Sequence, residues 1–245
     1  MKRIAAIIEA RMTSKRLPGK HMLPVMGRPI IEYLINRLKN VTSIDNIVMA
    51  TTVNDADDPL VELSILNGIN YFRGSEPDVM TRVIESAKSI DAEIIVSITG
   101  DCPLIDPQLI EQAIQVFIHN ECDYVDNSVV PGYPGGMNIE VYSLKSLIKS
   151  SKLTIDPLDR EHVTSHMLRN RNIFKPIYLL PTPDLNHPEF ELELDEKMDF
   201  DLLKKIIEHF GENNQLFTCK EVIDLLKKKP EWCDINKNVV RQGFE

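Results

Sequence analysis

Ile4-Ala5-Ala6-Ile7-Ile8-Glu9-Ala10-Arg11-Met12-Thr13-Ser14-Lys15-Arg16-Leu17-Pro18-Gly19-Lys20 is the stretch whose reading decides the fold. Its first five residues are apolar without a break, the pattern of a strand covered on both faces. From Arg11 to Lys20 the chain is polar and carries Pro18 and Gly19, which reads as a loop. Beyond it Pro29 can sit in the first turn of a helix whose Ile30, Ile31, Leu34, Ile35 and Leu38 repeat at helical spacing. Buried strand, loop and amphipathic helix in that order are the opening unit of an α/β fold.

The alternation continues downstream. Asn46 to Thr51 reads as a strand, Pro59 to Leu66 as a helix, Ile69 to Phe72 as a short strand and Asp78 to Ile90 as a helix. Glu93 to Ile98 is a further strand, and Pro107 opens a helix bearing Leu109, Ile110, Ala113, Ile114 and Phe117. Such runs build a mainly parallel sheet flanked by helices. After about Asp123 the rhythm changes, because Pro131, Gly132, Pro134, Gly135 and Gly136 crowd into one loop. Met137 to Val141, Phe174 to Leu180 and Phe190 to Leu194 are expected to be strands completing the sheet, with residues 123–185 supplying a lid and dimerisation elements. The tail returns to helix: Phe200 to Phe210, stopped by Gly211, and Cys219 to Lys229, whose terminal lysines complement the helix dipole. No repeat or linker interrupts residues 1–245, so one domain is expected.

Composition narrows the function classes. The chain has 245 residues, 43% hydrophobic and 27% charged, enough apolar material for a proper core. Its 28 Lys+Arg against 37 Asp+Glu leave a net charge of −9, which disfavours nucleic acid and anionic membranes as partners. Cys102, Cys122, Cys219 and Cys233 form no C-x-x-C pair, so neither a zinc site nor a disulfide framework is expected. No apolar run is long enough for a membrane span or a signal segment, and a cytoplasmic location is expected.

The net charge hides four cations, Arg11, Lys15, Arg16 and Lys20, gathered in one loop. In an open α/β sheet ligands bind outside the carboxyl ends of the strands, where this loop must lie. Its backbone N–H groups and the Arg11 fork can wrap a triphosphate while Lys20 acts as a point charge. From charge alone the stretch reads equally as a basic surface loop. It is neither G-x-G-x-x-G nor G-x-x-x-x-G-K-[ST], so a dinucleotide fold or a P-loop has no support. Asp101 ends a strand and precedes Cys102-Pro103, so its carboxylate is expected over the sheet edge near the loop, as an oxygen ligand for Mg²⁺ or as the cap of a turn. Asn138 and Glu140, two residues apart, are expected on one strand face, hydrogen-bonding a second substrate with Asn127 or simply facing solvent. His162 and His166 are four apart on an expected helix, but Val163 stands where a zinc-protease motif needs Glu, so a helix surface or dimer contact is the expected use.

The run Ala10-Arg11, Ser14 and Arg16-Leu17-Pro18-Gly19-Lys20 resembles the signature of the cytidylyltransferases that make CMP-activated sugars, especially the 3-deoxy-manno-octulosonate enzymes and the SpsF-like branch. The likeness extends to Phe72-Arg73-Gly74-Ser75-Glu76-Pro77-Asp78-Val79, Thr99-Gly100-Asp101-Cys102-Pro103-Leu104-Ile105-Asp106 and Arg160-Glu161-His162-Val163-Thr164. It implies a three-layer α/β/α sandwich with a Rossmann-like, mixed but mainly parallel sheet of the nucleotide-diphospho-sugar transferase type. It also implies transfer of CMP from CTP to an acidic sugar or sugar phosphate, with release of pyrophosphate, in a homodimer. By the same resemblance Ala10, Arg11, Met12, Lys20 and Arg73 hold the nucleotide, and Asp101 and Asp195 hold Mg²⁺. Arg11, Lys20, Asp101 and Asp195 are then the catalytic set, while Asn127, Asn138, Glu140, Arg160 and His162 face the sugar. Asp195 ends a strand that looks like the family's Asp-Thr-Pro-Glu-Asp turn, although Glu196-Lys197-Met198 stands where Thr-Pro-Glu is expected; helix capping by Asp195 or Asp199 is the other use of this segment. A GTP- or UTP-dependent sugar-1-phosphate transferase is the nearest alternative, and a glycosyltransferase the more distant one.

Overall fold

In the computed structural model, which describes residues 2–241, the apolar run forms the centre of a seven-stranded sheet. In chain order the elements are β1 (Ile4–Glu9), the small pair β2 (Pro24–Val25) and β3 (Arg28–Pro29), α1 (Ile30–Leu38), β4 (Asn46–Thr52), α2 (Asp58–Leu66), β5 (Asn70–Gly74) and α3 (Val79–Ser89). There follow β6 (Ile94–Thr99), α4 (Pro107–His119), β7 (Tyr124–Asp126), β8 (Glu140–Ser143), α5 (Leu144–Ser151), α6 (Pro157–Glu161), α7 (Ser165–Arg169) and β9 (Pro176–Tyr178). The tail is α8 (Lys197–Phe210), α9 (Cys219–Lys228) and α10 (Pro230–Cys233).

The sheet order is β5-β4-β1-β6-β8-β7-β9. Its strands run in one direction except β8, which is antiparallel to both of its neighbours. Alternate residues of β1 feed two cores: Ile4, Ala6 and Ile8 pack with α1, α2, α4, α8 and α9, whereas Ala5 and Ile7 pack with α3, α5 and α7. This two-sided burial is why β1 shows no polar alternation, and it gives three layers, helix on sheet on helix. Because the chain leaves β1 toward β4 on one side while β6 lies on the other, the crevice between the ends of β1 and β6 is the switch point of the sheet.

Past Asp123 the structure departs from the sequence expectations. The expected strand at 137–141 begins only at Glu140, because Asn127 takes over the backbone groups before it: its Nδ2 donates to the Met137 carbonyl and its Oδ1 accepts from the Ile139 N–H, both at 2.7 Å. The expected strand at 190–194 is reduced to one bridge, Gly135 to Glu191, since the Leu194 N–H turns to the Asp101 carbonyl instead. Phe174 to Leu180 contributes only β9, β7 and α5 add to the expected elements, and the one helix expected around His162 and His166 is two, α6 and α7. His162 and His166 do not share a helix: His162 follows the end of α6, and His166 lies in α7 with its Nδ1 2.9 Å from the Ser150 hydroxyl. Among the described residues no helix is long and apolar enough to cross a membrane.

Candidate functional site

The basic loop is built to fold back on itself. The Gly19 N–H donates to the Met12 carbonyl at 2.9 Å, and Gly19 adopts φ +71°, a left-handed value that favours glycine over any residue with a Cβ. The turn that follows carries Lys20 inward until it is only 5% exposed. The start of the loop is pinned by Asp57, a fully buried carboxylate at the head of α2. It accepts the Met12 N–H at 2.7 Å, the Thr52 N–H at 3.1 Å and the hydroxyls of Thr51 and Thr52. Burial pushes the Asp57 pKa up, but these hydrogen bonds together outweigh it and hold the carboxyl below its ordinary value. Sequence reading missed Asp57, which is one of several carboxylates between Val53 and Asp58.

Lys20 is the centre of the site. Its Nζ lies 2.7 Å from Asp101 Oδ1 and 3.3 Å from Asp195 Oδ1. Thus the three residues converge, with Asp101 meeting the loop at its far end, at Lys20. The backbone places the two carboxylates side by side: Gly100 N–H bonds to the Glu9 carbonyl, which sets the turn after β6 against the end of β1, and Leu194 N–H bonds to the Asp101 carbonyl at 2.8 Å. A Cβ on Gly100 would stand 2.8 Å from His21 Cε1 and 3.0 Å from Ala10 Cβ, so only glycine lets the turn approach this closely. The use of Asp195 is resolved by its neighbour. Asp199 accepts the Asp195 and Glu196 N–H groups and completes the capping box of α8, leaving the Asp195 carboxylate for the site.

Around this centre the charges alternate. Arg16 reaches Asp195 Oδ1 at 2.6 Å, and Arg241 stands 3.8 Å from Asp195 Oδ2 while gripping the buried Asp199 at 2.6 and 3.2 Å. His21 lies 3.7 Å from Asp101; burial, opposed by the pull of Asp101, holds its imidazole below the ordinary pKa and therefore neutral near pH 7. Glu193 is pushed up to about 7, first by burial and then by Asp195, Asp101 and Glu191, and it accepts from Asn138 Nδ2 at 2.7 Å. The donor set fits a hard divalent cation. Asp101 Oδ1 and Asp195 Oδ1 already share one cation, the Lys20 ammonium, and Asp101 Oδ1 is buried and accepts no hydrogen bond even so.

The remaining sequence candidates lie farther out. Arg11 meets Glu76 at 3.3 Å, and Glu76 also accepts from Thr13 and Asn54. Ala10 and Met12 flank Arg11 at the exit of β1, Ala10 packed in the core and Met12 against it. Arg73, in β5, holds the turn before α2: its guanidinium donates to the carbonyls of Thr52 and Asn54 and to Asp58. Arg160 clasps Asp78, the cap of α3, through two bonds at 3.0 and 2.6 Å, and His162 is exposed just beyond it. Asn127 is the loop clasp described above. Asn138 and Glu140 take different partners: Asn138 donates to Glu193, and Glu140 accepts from the Thr164 hydroxyl at 2.6 Å.

Comparison with known proteins places this geometry. The profile of a family described as Cytidylyltransferase matches residues 5–227. The spore coat polysaccharide biosynthesis protein SpsF of Bacillus subtilis is 30% identical over 236 residues, covering 94% of this chain and 97% of its own. A solved structure of a cytidylyltransferase from Leptospira borgpetersenii superposes with a TM-score of 0.91 at 31% identity, over 99% of this chain and all of that one. The fold alone is shared, at 18% identity and a TM-score of 0.65, with a CMP:2-keto-3-deoxy-manno-octonic acid synthetase complexed with CTP, over 86% of this chain and all of that one.

Proposed function

The chain belongs to the cytidylyltransferase family, and from that premise we propose that it transfers CMP from CTP to an acidic sugar or sugar phosphate, releasing pyrophosphate, for the synthesis of a surface polysaccharide or glycan. The observation that carries the reading is the convergence of Lys20, Asp101 and Asp195 at the crevice between β1 and β6. In this reaction an oxygen of the sugar attacks the α-phosphorus of CTP, and the bond to the β-phosphate oxygen breaks. Repulsion between anions is the main obstacle, and catalysis is positioning plus electrostatics.

The loop from Arg11 to Lys20 receives the triphosphate, with Arg11 and Lys20 taking charge that develops on the departing pyrophosphate. Ala10, Met12 and Arg73 border the nucleotide, and Asn138 and Glu140 face the sugar. Asp101 and Asp195 would hold Mg²⁺; when bound, the ion screens the phosphate charges and orients the in-line displacement. Lys20 is ion-paired with both of these carboxylates and Arg16 with Asp195. Binding at the site therefore has to rearrange these ion pairs, releasing Lys20 and Arg16 toward the phosphates. We further propose that the chain acts as a homodimer in the cytoplasm.

The test is pyrophosphate release by the purified protein with Mg²⁺, each nucleoside triphosphate in turn, and a panel of acidic sugars and sugar 1-phosphates. Release with CTP and an acidic acceptor is expected. Release with GTP or UTP alone, or breakdown of a nucleotide-sugar without pyrophosphate, would overturn the reading.

A further inference from the structure

The stretch that carries Asp195 is not held by the sheet. Its backbone makes one bridge, Gly135 to Glu191, and the Leu194 N–H goes to the Asp101 carbonyl. A strand inside a sheet takes its register from a ladder of hydrogen bonds. Without a ladder, the placement of Asp195 has to come from side chains. Lys20 and Arg16 pair with Asp195, but in the proposed reaction both turn toward phosphate, so a further anchor is required.

Asp199 is that anchor, and it is itself held from the end of the chain. Asp199 is fully buried, and its Oδ2 accepts the N–H groups of Asp195 at 3.1 Å and Glu196 at 2.8 Å. A carboxylate taken out of water keeps its charge and position only with a cation and a full set of donors. Asn236 donates to Asp199 Oδ1 at 2.8 Å. The Arg241 guanidinium spans both oxygens, Nη2 to Oδ1 at 2.6 Å and Nη1 to Oδ2 at 3.2 Å, a fork that fixes orientation as well as charge.

The same two residues also reach the other end of the stretch. Asn236 Nδ2 donates to the Glu191 carbonyl at 2.9 Å, and Arg241 Nε stands 3.6 Å from Glu191 Oε2. Arg241 Nη1 lies 3.8 Å from Asp195 Oδ2, so it faces that oxygen without taking it by a hydrogen bond. Asn236 and Arg241 both lie past residue 227, beyond the stretch that matches the family profile. Arg241 further lines a cavity of about 500 Å³ walled by Phe190, Leu202, Leu226 and Val239, which offers a small guanidinium a way to Asp199 once the Arg241 side chain is cut back.

We infer that Arg241, together with Asn236, is a positioning residue for Asp195: it holds Asp199 charged and in place under the turn, and Asp199 holds the Asp195 carboxylate beside Asp101, where the pair would seat Mg²⁺. The inference rests on the metal-assisted nucleotidyl-transfer reading of the site. A role in stability alone would lower the folded fraction without changing the affinity of the folded molecules for a divalent ion.

The experiment follows Mn²⁺ alone by its electron paramagnetic resonance signal, which reads the seat without turnover, and Asp101→Asn identifies the share of binding that belongs to the seat. Loss of a group that supports a metal ligand weakens affinity about 10–100-fold, so Arg241→Ala is expected to raise the Kd for Mn²⁺ about tenfold. Asn236→Ala removes one donor and leaves the fork, and a rise of about threefold is expected. Arg241→Lys keeps the charge without the fork and should fall between the parent and Arg241→Ala. Methylguanidine should restore Arg241→Ala to within about threefold of the parent and leave the parent unchanged. An unchanged Kd in folded Arg241→Ala overturns the inference even if Tm falls, and so does a loss that methylguanidine leaves unrepaired. If Arg241→Ala fails to fold, Arg241→Lys and Asn236→Ala carry the test, and parent-like Kd values in both overturn it. A parent without Mn²⁺ binding that Asp101→Asn removes overturns it as well, while pyrophosphate release still decides nucleotidyl transfer. Conversely, a Kd that rises in Arg241→Ala and recovers with methylguanidine supports the inference even where no acceptor yields pyrophosphate.

Discussion

Asp57 is the most exacting place to perturb this protein, because one fully buried carboxylate anchors the start of the basic loop. Asp57→Ala leaves two backbone N–H groups, those of Met12 and Thr52, without their acceptor; the two threonine hydroxyls can rotate to other partners. An unsatisfied buried donor costs about 1–3 kcal/mol. The Thr52 N–H is buried and is assigned about 2, and the Met12 N–H, nearer the surface, about 1. The expected loss is therefore about 3 kcal/mol, or a fall of roughly 6–12 °C in Tm for a chain of this size. Asp57→Asn retains one acceptor oxygen but turns an NH2 toward donors, and an intermediate loss is expected. Freed at Met12, the loop loses its register against Lys20, so the KM for CTP rises in both variants.

The same residue makes an acid-limb prediction. Since the folded-state pKa of Asp57 lies below its ordinary value, its contribution is complete above about pH 4 and disappears as pH falls through the lower folded value. Urea unfolding of the parent and Asp57→Asn between pH 3 and 7 should show the difference in stability narrowing toward acid. Losses under 0.5 kcal/mol in Asp57→Ala, together with an unchanged KM for CTP, would refute the claim that this carboxylate anchors the loop.

Asp101→Asn is expected to lower kcat for pyrophosphate release by at least a hundredfold with the melting temperature nearly unchanged; full activity would remove Asp101 from the metal site. Chelation with EDTA should stop turnover and excess Mg²⁺ restore it, whereas turnover that persists in EDTA would argue against a divalent ion. Arg241→Ala removes the grip on Asp199 that supports the turn of Asp195, and about a tenfold fall in kcat with little change in the KM for CTP is expected from steady-state kinetics. Gly136→Ala places a Cβ 2.6 Å from the Leu192 carbonyl oxygen at φ +81°; the left-handed backbone alone costs about 1–2 kcal/mol, so a loss of at least 2 kcal/mol in urea unfolding is expected.

What could be read in the chain and what could not divide along physical lines. The first half was legible because its strands β1, β4 and β6 carry apolar runs buried on both faces, and its helices α1, α3 and α4 repeat apolar residues over several turns. Asp101 was legible for the same reason, as the polar residue that ends such a strand. The second half was not, because β7, α6, α7 and β9 are three to five residues long and carry too few turns or alternations to show a period. The stretch 190–194 alternates like a strand, yet its N–H groups go to Gly135 and Asp101 rather than to a neighbouring strand. Nothing local distinguishes Asp57 from Asp55 and Asp58; it differs only in being turned under the loop.

By itself, the sequence determined that a basic loop follows a doubly buried strand and faces the carboxyl ends of a parallel sheet, since periodicity and loop composition are local properties. Only the tertiary structure decided that Lys20 lies between Asp101 and Asp195, and that Glu9, Asp126 and Glu140 share one face of the sheet. Those contacts join residues between 81 and 175 positions apart in the first group and come from three different strands in the second. Charge and burial acting through such distances leave no repeating mark along the chain. They arise when strand order and register bring the groups together.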